Sequence, residues 1–152
     1  MNVEYGLAGH VTTKGDVYSY GVVLLEMLTR KKPTHNMFVE GLTLQKWVSS
    51  SFPNRVWEVV DKSLLRRTST IIEEEKELNC LNYLVRVGLL CTTESPEGRS
   101  IMMDIVNTLQ DIREFFLGTR GIPKFPSNIS HLLASTSTTY NNTFEDQSSS
   151  TF

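Results

Sequence analysis

Between Tyr18 and Leu28 apolar residues fall on every side of a helical wheel, and Glu26 is the only charge. A helix that is apolar all round belongs in the middle of a fold rather than on its surface. It is too short and too interrupted to span a bilayer, which takes about 20 apolar residues. The pattern therefore predicts a buried central helix over about 14–29, with the later helices packed around it. Met1 to Thr12 reads as loop, with Gly6 and Gly9 as breakers. Arg30, Lys31 and Lys32 suit the negative end of a helix, and Pro33 reads as its stop.

The later pattern is helical too. Leu44, Trp47 and Val48 form an i, i+3, i+4 stripe behind a capping Thr43, so a short helix is expected over about 44–51. Pro53 breaks it, and Asn54 is the expected cap of a further turn over about 55–60. Residues 61–70 read as loop. Glu73, Glu74, Glu75 and Glu77 suit the positive end of a long helix over about 72–92, with Leu78, Leu81, Val85 and Leu89 as its stripe. Ser100 is the expected cap of a last helix over about 101–116, whose stripe is Ile101, Ile105, Leu109, Ile112 and Phe116. Gly118 ends it. No strand pair and no internal repeat stands out, so the fold class is all-α. From residue 119 the chain turns to Ser, Thr and Asn, and residues 119–152 read as a disordered tail that cannot offset its ordering entropy.

Composition changes this picture little. A content of 39 % hydrophobic and 21 % charged residues is that of a globular domain, and 152 residues make one domain. A net charge of −2 gives no reason to expect nucleic acid or an anionic membrane as partner. Cys80 and Cys91 sit about 16 Å apart along one helix, too far for a disulfide, and read as buried reduced thiols. No Cys/His spacing suits zinc, and His10, His35 and His131 are scattered. The first residues lack the features of a signal peptide, and no transmembrane segment is apparent. Arg66-Arg67-Thr68-Ser69 matches a basophilic kinase target weakly, and the Asn128 and Asn141 sequons have no secretory context to make them meaningful.

One stretch carries a family resemblance. GDVYSYGVVLLEMLTRKKP, from Gly15 to Pro33, resembles the central helix F of a eukaryotic protein kinase C-lobe, usually SDVYSFGVLLLELLTGKKP. Val3-Glu4-Tyr5-Gly6 resembles the end of the Ala-Pro-Glu motif, often APEYG, and Ser95-Pro96-Glu97-Gly98-Arg99 resembles the SPxxRP segment before the last kinase helix. The match runs from about Val3 to Phe116 and is closest to plant leucine-rich-repeat receptor-like serine/threonine kinases. It implies a lower C-lobe, helices F to I, over residues 1–118. By the same resemblance Glu4 and Arg99 form a buried structural pair, and Asp16 matches an aspartate that accepts backbone bonds from the catalytic loop; within these residues alone Asp16 is expected to cap its own helix.

Kinase catalysis requires a Gly-rich loop, a strand lysine, an HRDxxxxN loop and a DFG aspartate. None occurs in these 152 residues, and the match begins after all of them in the family's order. The expectation is a truncated receptor-like kinase, inactive alone, with no catalytic, cofactor-binding or metal-binding residue. ATP and magnesium belong to the parent family, whose kinase domain faces the cytoplasm from the plasma membrane; the chain as it stands is expected to be cytoplasmic. The other reading is a docking or decoy module for protein partners of a kinase, with Trp47, Trp57 and Phe52 as its anchors. A bare face at Tyr18, Val22 and Leu25 is expected to make the chain self-associate.

Overall fold

The computed structural model describes residues 4–65 and 70–126, with side chains from Thr13 onward. Every regular element among them is helical: α1 Glu4–Thr29, α2 Leu44–Ser51, α3 Val56–Val59, a 3₁₀ turn Lys62–Leu64, α4 Ile71–Cys91 and α5 Met102–Leu117. α1 lies chiefly against α4, α4 is flanked on another side by α5, and α2 and α3 close the end of the α1–α4 pair. The core joins Val17, Leu24, Leu25 and Leu28 of α1 to Leu44 and Val48 of α2, to Leu81, Val85, Val87 and Cys91 of α4, and to Ile105 and Ile112 of α5. Because α4 has neighbours on two sides, its buried set is wider than one stripe.

The α1–α4 crossing is closest at two glycines. A Cβ at Gly21 would collide with Cys91 Cβ and lie 2.8 Å from Thr92 Cγ2 and 3.0 Å from the Gly88 carbonyl oxygen. A Cβ at Gly88 would lie 2.6 Å from Leu25 Cδ2. Bare backbone on both helices thus sets their separation and lets Leu25 fill the gap, fully buried.

Four local readings are corrected. α1 starts at Glu4, not near Lys14; the stretch holds no proline, and two glycines cost only about 1 kcal/mol each against propagation of an established helix. Asp16 is consequently an exposed residue of the helix interior rather than a cap, since the N–H groups around it are already used within the helix. The expected cap at Ser100 also fails: Ile101 takes the cap position, and the Ser100 hydroxyl is buried without a hydrogen-bond partner. Asn54 likewise gives way to Arg55, which makes no side-chain cap bond.

Other ends are as expected. Thr43 Oγ1 accepts from the Lys46 N–H at 3.2 Å, and Gly118 leaves α5 at φ 76°. α1 stops at Arg30, which turns left-handed at φ 55°, before Pro33 is reached. The Asp61 N–H then reaches back to the orphan Leu28 carbonyl at 2.8 Å. Cys80 and Cys91 are buried and free, and burial pushes the Cys91 thiol up to about 12.

Residues 119–126 do not fit the expected tail. Pro123 is buried, and Phe125 packs on Tyr83 and lies over the Arg86 guanidinium, 3.9 Å from its ring centroid. Two prolines limit the entropy lost on ordering, and an aromatic ring repays it. Residues 66–69, with the RRxS match, and 127–152, with both sequons and His131, lie outside the described residues.

Candidate functional site: the Arg99 junction and the surface of α1

The α4–α5 loop bends back against the first half of α1's described side chains. Its last turn, Ser95 to Gly98, closes through the Gly98 N–H to the Ser95 carbonyl at 3.2 Å and aims Arg99 inward. Arg99 Nε donates to the Thr93 carbonyl at 2.7 Å, Nη2 to that of Glu94 at 3.1 Å and Nη1 to that of Lys14 at 3.3 Å. Lys14 Nζ returns a bond to the Arg99 carbonyl at 2.6 Å. The guanidinium also lies 4.8 Å from the Tyr18 ring centroid, and Gln45 Nε2 of α2 donates to the Tyr18 hydroxyl at 3.0 Å. One side chain therefore ties α1 to the α4–α5 loop, with α2 attached through the tyrosine. Glu4, its expected partner, has a side chain outside the described residues.

A second feature is the uncovered side of α1. Asp16, Val23 and Met27 lie along it at helical spacing, with half-buried Tyr20 between them packed against the core. Val23 is 53 % and Met27 63 % exposed. The expected bare residues were different ones: Leu25 is fully buried, and Tyr18 and Val22 are half-buried. Apolar character all round α1 does not say which side α4 takes, and α4 takes the side of Gly21 and Leu25.

The aromatic anchors separate. Trp47 leans on Phe38, with ring centroids 5.9 Å apart, and both it and Phe52 pack against the core. Trp57 alone of the three is well exposed, at 50 %. It borders a groove of about 220 Å³ between α3 and α4 that includes Pro53, Val60, Leu65 and Leu78. Trp47→Ala should cost about 2 kcal/mol, half of a full aromatic truncation. Trp57→Ala should cost under about 1 kcal/mol, by the same rule at a site half in water. Urea midpoints check the order, and an equal loss for both would place Trp57 in the core.

Among the described residues no three His, Cys, Asp or Glu side chains gather in a way that would hold a metal ion.

Comparison with known proteins settles what this helical assembly is part of. The family model for protein tyrosine and serine/threonine kinases matches residues 1–109. The chain belongs to the protein kinase family. It is similar to the leucine-rich repeat receptor-like protein kinase TDR of Arabidopsis thaliana, 40 % identical over 112 residues, which are 72 % of this chain and 10 % of that protein. It is similar to the LRR receptor-like serine/threonine-protein kinase RGI1 of the same plant, 38 % identical over 111 residues, 73 % of this chain and 9 % of the relative. The receptor kinase-like protein Xa21 of Oryza sativa subsp. japonica is 34 % identical over 127 residues, 76 % of this chain and 12 % of its own. The chain thus spans about a tenth of the length of these curated relatives. No solved structure matches it. Within a kinase, the helices described here are C-lobe helices, and α1 is the family's central one. No helix among the described residues is long and apolar enough to cross a membrane.

Proposed function

We propose that this chain is the helical floor of a receptor-like serine/threonine kinase domain and transfers no phosphate by itself. The observation that supports this is the side of α1 that carries Asp16, Val23 and Met27. The helix most central to the fold leaves a strip open that starts at the aspartate which, by resemblance, meets the catalytic loop. A strip of this kind is suited to carry the parts of a kinase that these residues lack, with their ATP, magnesium and protein substrate. Positioning and charge stabilisation account for most of phosphoryl transfer. A chain with no HRD base and no DFG metal ligand has neither. The parent activity, phosphate transfer from ATP to protein serine or threonine at the cytoplasmic face of the plasma membrane, is that of the whole kinase.

Purified chain incubated with magnesium, radiolabelled ATP and a generic basic protein substrate should incorporate no more label than a heat-denatured control. Incorporation above that control sinks the proposal. In isolation the open strip should also pair copies of the chain, so the sedimentation coefficient should rise with concentration. The V23K/M27K double variant should stay monomeric with its helical circular dichroism unchanged. A concentration-independent monomer of the unaltered chain would remove self-association from the proposal.

A second reading is favoured by Trp57 and its groove: a docking module that binds another kinase or its partner. Capture of a kinase by the chain that is lost in Trp57→Ala, with stability retained, would distinguish it.

A further inference from the structure

Residues 118–126 lie back along α4 and α5 through a small set of contacts, of which Phe125 alone packs against the core. The segment leaves α5 at Gly118, whose φ of 76° suits a hinge. Arg120 pairs with Asp111 and, at 3.3 Å, with Glu114, both on α5. The Lys124 N–H donates to the other Asp111 oxygen at 3.3 Å. Asp111 thus holds the segment at two points four residues apart. Beyond them Pro123 is buried, and Phe125 covers the Arg86 guanidinium and sits 5.9 Å from the Tyr83 ring. Arg86 Nε is buried and has no hydrogen-bond partner, and burial pulls the Arg86 pKa down. With Phe125 in place, the flat guanidinium is held by ring stacking in place of hydrogen bonds.

From this arrangement we propose that residues 118–126 are a clasp, pinned by Asp111 and latched by Phe125, that opens and closes on an intact helical core and in closing covers the Tyr83–Arg86 strip of α4. The pin consists of ionic contacts that water reaches from the side of Arg120, which is mostly exposed, while Asp111 is largely covered. Such contacts are individually weak and screened by salt. The latch is one aromatic ring and one proline. Phe125 is only partly buried where it packs against the core, and Arg120 and Lys124 are exposed, so opening costs far less than unfolding. When the clasp lifts, Arg86 regains water, and a planar cation beside an aromatic ring becomes available on α4.

Trypsin reads this equilibrium directly, because Arg120 and Lys124 are themselves cleavage sites within the clasp. Where opening and closing outpace cleavage, the cutting rate follows the open population. The full chain, Asp111→Asn and Phe125→Ala would be digested briefly and the fragments weighed, with cleavage after Arg86 and Arg99 in the core as the measure of global unfolding. Cutting after Arg120 and Lys124 should rise about fivefold in Asp111→Asn, from the loss of exposed ionic contacts. It should rise more than about tenfold in Phe125→Ala, from the loss of a partly buried ring. Cutting after Arg86 and Arg99 should not change. Added salt should speed clasp cleavage in the unaltered chain and hardly affect Asp111→Asn. If clasp and core sites accelerate together, the segment is part of the cooperative core and the proposal fails. If neither variant changes clasp cleavage, Asp111 and Phe125 do not hold it and the proposal fails equally.

Discussion

Gly21→Val is expected to lower stability by about 4 kcal/mol, and Gly21→Ala by about 2 kcal/mol, both beyond the usual cost of a single surface change. The reason lies in what meets the added carbon. Cys91 Cβ and the Gly88 carbonyl oxygen belong to α4 itself and cannot swing aside as a side-chain tip does. The helices must separate, and Leu25 and Val85, both fully buried beside the crossing, lose contact as they do. Against this stands the gain of about 1 kcal/mol from replacing a helical glycine by alanine. Gly15 isolates that gain. It lies on the same helix, six residues earlier, and an added Cβ there meets nothing within 4 Å. Gly15→Ala should therefore stabilise by about 0.5–1 kcal/mol. Gly88→Ala should fall between the two, since what it meets, Leu25 Cδ2 and Cγ, is side chain rather than backbone. Urea unfolding of the three alanine variants tests the order. If Gly21→Ala proves as stabilising as Gly15→Ala, the two helices do not meet closely at Gly21.

The same crossing shows what could be read from the sequence and what could not. The 3.6-residue pattern placed α2, α4 and α5 to within a residue, but put the start of α1 ten residues late. Thr43 and Gly118 were legible because a cap and a left-handed turn need particular side chains locally. Gly21 was not. Inside an apolar run a glycine reads as a mere weakness, and only a second glycine, Gly88 on a distant helix, makes it a contact. Val23 and Met27 were missed for a related reason: a helix apolar all round carries no record of which side its neighbours cover. Residues 119–126 misled through composition. The Ser/Thr/Asn content that follows suggested a tail, yet Pro123 and Phe125 each find a place on the helices. The kinase family itself was legible in three short motifs, because their order constrains far more than their individual letters. Residues Trp47, Phe52 and Trp57 shared one expectation, and burial divided them, since an aromatic side chain at helical spacing serves core and surface equally well.

Arg99→Ala should cost about 2–3 kcal/mol, from three charge-assisted hydrogen bonds and one ring contact at a half-buried site. The family resemblance assigns Arg99 a carboxylate partner in Glu4, and losing one member of such a buried pair typically costs about 3–5 kcal/mol. The described geometry adds neutral partners to it. All three guanidinium nitrogens already donate to neutral carbonyls, of Thr93, Glu94 and Lys14. Their fixed fork is what lysine lacks, so Arg99→Lys should recover less than half of the loss. Because the acceptors are uncharged, the penalty of Arg99→Ala should hardly change between low and high salt, whereas a partly exposed ion pair would weaken. Glu4→Gln completes the comparison. If carbonyls carry the junction, Glu4→Gln costs under about 0.5 kcal/mol and Arg99→Ala several times more. Equal losses for the two single variants, with no further loss in the double, would show that the carboxylate is the partner that matters and that α1 is held at Glu4 as well as at Lys14.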